Sequence, residues 1–282
     1  MIGSAATELA ARVLACDAET SGADPVIGDE LTSSYEERFR RAVNEGEPFY
    51  EPMSCLQEAA HERRMALLDG LPVGDLSGKV CVDFGVGSWG FACVYPRLQH
   101  CGLAIGIDIS TEAIRESARV SASGSFPYGH RYLYLTSSGD DIKLRDASVD
   151  VFFAGECIEH VENTDAFLDE VHRVLVPGGL FILTTPNADS YLYRVRGERW
   201  CVGPEHVALM NLEELNRYLE PRFDVISMRG FGATVHHTID DDVRDADFAR
   251  AWASQFADEP HLAGGLVGLA RRRDGFRLST AK

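Results

Sequence analysis

The chain has 282 residues, 45% of them apolar, and its 27 Lys and Arg face 44 Asp and Glu for a formal net charge of −17. That length and core content suit one large domain, or one domain with a small cap. The charge argues against nucleic-acid backbones and anionic membranes as main partners, because both need clustered cations. The one compact basic run, Arg271-Arg272-Arg273, is expected at the solvated end of a last strand. No stretch approaches the ~20 apolar residues of a membrane span. No signal peptide is read at the N-terminus, which lacks a basic start and a long apolar run. The seven cysteines are odd in number and lack a C-x-x-C pair. They read as reduced thiols in a cytoplasmic protein.

Residues 1–75 read as a helical N-terminal cap. Ala5 to Ala18 is an alanine-rich amphipathic helix, and Ser34 to Val43 is a charged one. Glu47 to Pro52 is a turn-rich link carrying Phe49 and Tyr50. Leu56 to Leu71 is a third helix, stopped by Gly70 and Pro72. Such a prefix suits either a lid or a helix packed on a sheet edge.

Residues 76–282 read as the main domain. Val80 to Phe84 is a strand, followed by Gly85, Gly87 and Gly90. Ser88 to Leu98 has helical spacing through Phe91, Val94, Tyr95 and Leu98. Leu103 to Ile107 is a second strand ending in Asp108, and Ser110 or Thr111 caps a helix running to about Val120. Tyr132 to Leu135 and Val149 to Ala154 are strands three and four. Thr164 to Leu175 is a helix ended by Pro177-Gly178-Gly179, and Leu180 to Thr184 is strand five. This alternation predicts a parallel sheet with helices on both faces. The tail adds helices over Leu212–Leu219 and Ala246–Phe256. It also adds strands over Phe223–Met228 and Leu266–Ala270, with an acidic segment, Asp240 to Asp247, between them.

In open α/β sheets, ligands sit at the carboxyl ends of the strands. Here those ends carry Asp83 with Gly85 and Gly87, then Asp108 with Ile109, then Asp140 and Asp141, then Glu156. A strand, glycine turn and helix start also fit a dinucleotide. Asp83, two residues before the first glycine, would repel a pyrophosphate and attract an ammonium. Asp108 is placed to accept from two ribose hydroxyls, although it would also cap the helix that follows. Asp140-Asp141 has a turn as its plain alternative.

The chain resembles the class I S-adenosylmethionine-dependent methyltransferases. The matching segments are V-C-V-D-F-G-V-G-S-W-G at 80–90, G-I-D-I-S at 106–110, D-A-S-V-D-V-F-F at 146–153, G-E-C-I-E-H-V at 155–161 and R-V-L-V-P-G-G-L-F-I-L-T-T-P-N at 173–187. The resemblance covers about residues 75–272. It implies a Rossmann-like seven-stranded, mostly parallel sheet with an antiparallel last strand, and S-adenosylmethionine as cofactor. The family more often has G-x-G-x-G; here the third glycine falls one place later, with Trp89 in the gap.

Glu156, Glu159 and His160 stand at i, i+3 and i+4, one face of a helix if one begins there. With His206 they offer two carboxylates and two imidazoles for Mg2+ or another divalent cation. The set is similar to the E-x-x-E-H…H constellation of ubiquinone-pathway and small-RNA O-methyltransferases. In them it implies an ion that binds the acceptor hydroxyl. Metal-free base catalysis by His160 or His206 stays open, as does catalysis by positioning alone. Residues 188–211 form an acceptor-side insertion, where Tyr191, Tyr193, Arg194, Arg196, Arg199 and Trp200 suit a small aromatic or anionic acceptor. The expectation is methyl transfer to a small-molecule hydroxyl. The rivals are N-methylation, 2′-O-methylation of nucleic acid and a nicotinamide-dependent oxidoreductase.

Overall fold

The computed structural model describes residues 4–14, 54–87, 96–122, 132–197, 199, 201–232 and 245–276. The expected helix Ser34–Val43, the link with Tyr50, and Ser88, Trp89, Gly90 and Trp200 lie outside the described residues. So does the start of the acidic segment before Asp245.

Seven strands form one sheet in the order β3-β2-β1-β4-β5-β7-β6. They are β1 Val80–Phe84, β2 Leu103–Asp108, β3 Tyr132–Thr136, β4 Val149–Gly155, β5 Leu175–Pro186, β6 Phe223–Phe231 and β7 Gly265–Arg272. Strands β1 to β5 pair in parallel, and β7 inserts antiparallel between β5 and β6. This is the doubly wound sheet expected from the alternation, with the antiparallel last strand. Strands β1 and β2 are buried along their whole length, as parallel strands covered on both faces must be.

Seven helices are described: α1 Ser4–Val13, α2 Cys55–Asp69, α3 Thr111–Ala122, α4 Thr164–Val174, α5 Tyr191–Arg196, α6 Leu212–Leu219 and α7 Ala246–Ser254. Their starts follow their caps. Ser54 and Gln57 form a capping box on α2, Asn211 and Glu214 form another on α6, and the Asn163 side chain accepts from Ala166 N–H. Ser110 Oγ accepts from Ala113 N–H at the start of α3.

Two expectations change. Leu98 lies in a 3-10 turn, Pro96–His100, and not at the end of an α-helix. Pro177-Gly178-Gly179 does not end a helix before a separate strand: β5 already starts at Leu175, opposite Val149. Residues 176–179 bulge out before pairing resumes at Leu180 and Val151. Gly178 takes φ +73 there, a conformation costly for other residues.

The core on one sheet face centres on Phe84, Phe152, Phe167 and Phe181, with ring centroids 5.0–6.5 Å apart. Helix α1 joins that core through Ala10 and Val13. It therefore packs on the sheet flank. Helix α2 packs through Leu56 and Ala59 on Ala249, Trp252 and Ala253 of α7. Arg272 and Arg273, expected to be solvated, bond to Leu175 O and Asp224. Among the described residues, no helix is long and apolar enough to cross a membrane.

Phe152 is fully buried on a central strand. Phe152→Ala should lower the unfolding free energy by about 3–5 kcal/mol, read from urea denaturation. A change below ~1 kcal/mol would contradict this core.

Candidate functional site at the carboxyl edge of the sheet

Asp83 lies near the end of β1, 1% exposed. Its Oδ2 has no hydrogen-bond partner among the described residues. Burial, then the Asp108 charge, pushes its carboxyl well above the ordinary range. A buried carboxyl that lacks a partner fits a cationic ligand group.

Asp108 ends β2. Its Oδ2 accepts from Gly87 N–H at 2.8 Å and its Oδ1 from Ser110 N–H at 2.8 Å. The carboxylate thus ties the glycine turn to the start of α3. Ile109 follows Asp108, half-buried. Gly85 takes φ +76, and a Cβ there would stand 2.8 Å from Cys157 Sγ. Glycine is therefore required on both conformational and steric grounds. The turn after β4 packs directly on the turn after β1.

Asp140 and Asp141 sit on an exposed turn after β3. Asp140 accepts from Ser138 Oγ and Asp141 pairs with Lys143. The structure gives them the local partners of a turn.

Past β4 the chain does not enter an α-helix. Glu156 takes φ +49, and its N–H donates to Thr184 O at 2.8 Å. A single 3-10 turn, Ile158–His160, follows. The expected shared face of Glu156, Glu159 and His160 is therefore broken. Glu159 turns inward, 1% exposed, and accepts from Thr185 Oγ1 at 3.0 Å. Glu156 instead faces Arg64 of α2, at 3.3 Å.

The structure brings three of the four metal candidates together. One ligand atom from each of Glu159, His160 and His206 lies within 4.8 Å of the others. The two rings are 4.8 Å apart, and His160 Nε2 is 4.0 Å from Glu159 Oε1. His160 Nδ1 donates to Glu205 O at 2.8 Å, and His206 Nδ1 donates to Cys201 O. In the neutral ring, both bonds leave the lone pair on Nε2. Glu156 is outside this set.

Burial, then Glu156, raises the Glu159 carboxyl well above its ordinary value, and burial lowers His160. Burial also pushes the Cys201 thiol up to about 12, so it is no nucleophile near neutral pH.

On the acceptor side, Tyr191 and Tyr193 are exposed, and Tyr191 stacks on Phe256. Arg199 is not a free cation. It binds Asp189 and Glu214 and ties the insertion to α6. Sequence reading missed Arg64, His61, Thr184 and Thr185. Only the two threonines carried a signal, by lying at the end of β5 in the T-T-P-N run.

The buried Glu159 carboxyl has a pH consequence. Its folded pKa is above the unfolded value of about 4.3. As pH rises from there, the folded chain retains a proton that the unfolded chain has lost, so stability falls. In EDTA, Glu159→Gln should melt roughly 2–4 °C above wild type at pH 8, with the gap closing toward pH 4. Equal melting temperatures at both pH values would mean that Glu159 is solvated.

A family model described as a methyltransferase domain matches residues 82–183. A Mycolicibacterium smegmatis protein named probable S-adenosylmethionine-dependent methyltransferase is 38% identical over 146 residues, 45% of this chain and 54% of that protein. The ubiquinone biosynthesis O-methyltransferase of Cupriavidus pinatubonensis is 28% identical over 184 residues, 59% of this chain and 68% of that one. The chain spans about half the length of the first curated relatives it matches. Among solved structures, a Thermotoga maritima S-adenosylmethionine-dependent methyltransferase superposes with TM-score 0.55 at 17% identity, covering 85% of this chain and 100% of that one. The [4+2]-cyclase SpnF superposes with TM-score 0.56 at 20% identity, covering 78% and 84%. These two likenesses concern the fold. Residues 82–183 are thus similar to a methyltransferase domain, and the strand order and the glycine turn agree with that likeness.

Proposed function

We propose that the chain transfers a methyl group from S-adenosylmethionine to a hydroxyl oxygen of a small-molecule acceptor. The observation that carries this reading is the set of Glu159, His160 and His206 gathered beside the glycine turn. Two imidazoles and a buried carboxylate suit an acceptor that must lose a proton as it attacks.

Asp83 holds the ammonium of the methionyl end, and Asp108 accepts from the ribose hydroxyls. Gly85 and Gly87 let the backbone approach the ligand, and Glu156 closes the turn behind it. His160 and His206 take or orient the acceptor proton through Nε2, their Nδ1 atoms being committed to backbone carbonyls. A divalent cation held by Glu159, His160 and His206 would add Lewis acidity toward the acceptor oxygen. Of the divalent cations the sequence left open, the donor set of two nitrogens and one carboxylate suits a borderline ion such as Mn2+ or Zn2+ better than Mg2+.

The charge of −17 supports a small acceptor over nucleic acid. None of the five described cysteines forms a disulfide, which supports a reducing, cytoplasmic setting.

Labelled S-adenosylmethionine, incubated with panels of phenols, sugars and amines, tests the reaction. Label should enter hydroxyl acceptors, disappear in EDTA and return with Mn2+. Label in amines alone would overturn oxygen as the target. Full activity in EDTA would leave the histidines as bases without a metal. Asp108→Ala should weaken S-adenosylmethionine binding at least about tenfold by calorimetry, a loss near 1.4 kcal/mol. Unchanged affinity would remove Asp108 from the cofactor site.

A further inference from the structure

Helix α2 reaches the site through two side chains. Arg64 Nη1 stands 3.3 Å from Glu156 Oε1, and Arg64 Nη2 bonds His61 Nδ1 at 2.9 Å. The Arg64 side chain is 19% exposed and that of Glu156 is 36% exposed. The helix is anchored independently of this contact, by its packing on α7. The Glu156 backbone is likewise set from elsewhere, by its bonds to Thr184 O and Oγ1. Arg64 therefore bears mainly on the direction of the Glu156 carboxylate. That carboxylate is close enough to the cluster to act on Glu159 and His160 electrostatically, yet it is not among the gathered ligand atoms.

We propose that Arg64 is a positioning residue that holds the Glu156 carboxylate out of the Glu159, His160 and His206 set, so that only three side chains ligate. This rests on the metal reading above. Three protein ligands leave more of a cation's positions for acceptor oxygens than four do. One carboxylate, and not two, also leaves more of the ion's charge to act on the acceptor hydroxyl. The prefix thus contributes to the reaction by withholding a ligand.

The test uses Mn2+ alone, titrated by calorimetry into the full chain. The proteins are wild type, Arg64→Gln, Arg64→Lys, Glu156→Gln and the double variant Arg64→Gln/Glu156→Gln. Thermal melts and S-adenosylhomocysteine binding verify that each is folded. Arg64→Gln should bind Mn2+ about tenfold more tightly, the scale on which ligand surroundings act on metal affinity. The double variant should return to the wild-type value. Glu156→Gln alone should leave affinity unchanged, and Arg64→Lys, which keeps the cation, should stay near wild type.

Wild-type binding that is unchanged in Arg64→Gln overturns the positioning role and leaves the metal site standing. Weakened binding in Glu156→Gln alone also overturns it, because Glu156 would then be a ligand despite Arg64. Binding by Arg64→Gln with none by wild type supports the positioning role and removes the metal from the native reaction. No binding by either protein overturns both.

Discussion

The constraint around which the site is organised is the burial of two carboxyl groups at one edge of a parallel sheet. Asp83 and Glu159 are each 1% exposed, and among the described residues neither forms an ion pair with a lysine or arginine. Water is withheld from both, which raises their proton affinity and costs the folded state stability above the carboxylate range. Local structure limits that cost only in part. Glu159 accepts from Thr185, whereas Asp83 has one oxygen without a partner among the described residues. Each group is a place where positive charge would be bound more strongly than in water. One lies beside a glycine turn and suits an ammonium; the other lies beside two imidazoles and suits a metal ion or a proton.

Sheet topology puts these two groups next to each other. Strands β1 and β4 are neighbours, with Phe84 opposite Ala154, so the turns that follow them leave the sheet side by side. The strand order reverses direction there, since β1 connects outward to β2 while β4 lies on its other flank. Cys157 packs against Gly85 at that point. The turns after β1 and β4 are thus one packed unit, and a side chain on Gly85 would force them apart. The Asp108 carboxylate does similar work on the other side, joining the Gly87 and Ser110 amides.

The parts legible in the sequence were those governed by short-range pattern. Continuous apolar runs identified β1 and β2, and a capping residue, Ser110 or Thr111, identified the start of α3. Polar residues at strand ends marked Asp83 and Asp108, and the i, i+3, i+4 spacing together with the resemblance marked Glu159, His160 and His206. The shared helix face drawn for Glu156, Glu159 and His160 is absent for a local reason. A helix register presumes helical backbone, and Glu156 takes a left-handed conformation before a single 3-10 turn. Arg64 was illegible for a long-range reason. It lies 92 positions before Glu156 in the sequence, and no spacing rule links a prefix helix to a strand end. Pro177-Gly178-Gly179 failed through a third cause: a stop signal for a helix is equally a bulge within a strand, and only pairing between Leu175 and Val149 distinguishes them.

A fold of this type does not by itself determine a reaction, since a [4+2]-cyclase superposes on it about as well as a methyltransferase does. The discriminating features must therefore lie outside the sheet that all these chains share. Here they are the Glu159, His160 and His206 set and the helix that approaches it. That set draws on two separate segments, the turn after β4 and the insertion after β5, joined by the bond from His160 to Glu205 O and by Ala208 N–H to Glu159 O. Each histidine is oriented by a carbonyl of the insertion, so the insertion orients the imidazoles as well as carrying one of them. Changes in residues 201–208 would then alter the chemistry at the acceptor while leaving Asp83, Gly85 and Asp108 intact. Under the proposed function, cofactor binding and acceptor chemistry are separable, because one rests on the shared sheet edge and the other on segments attached to it.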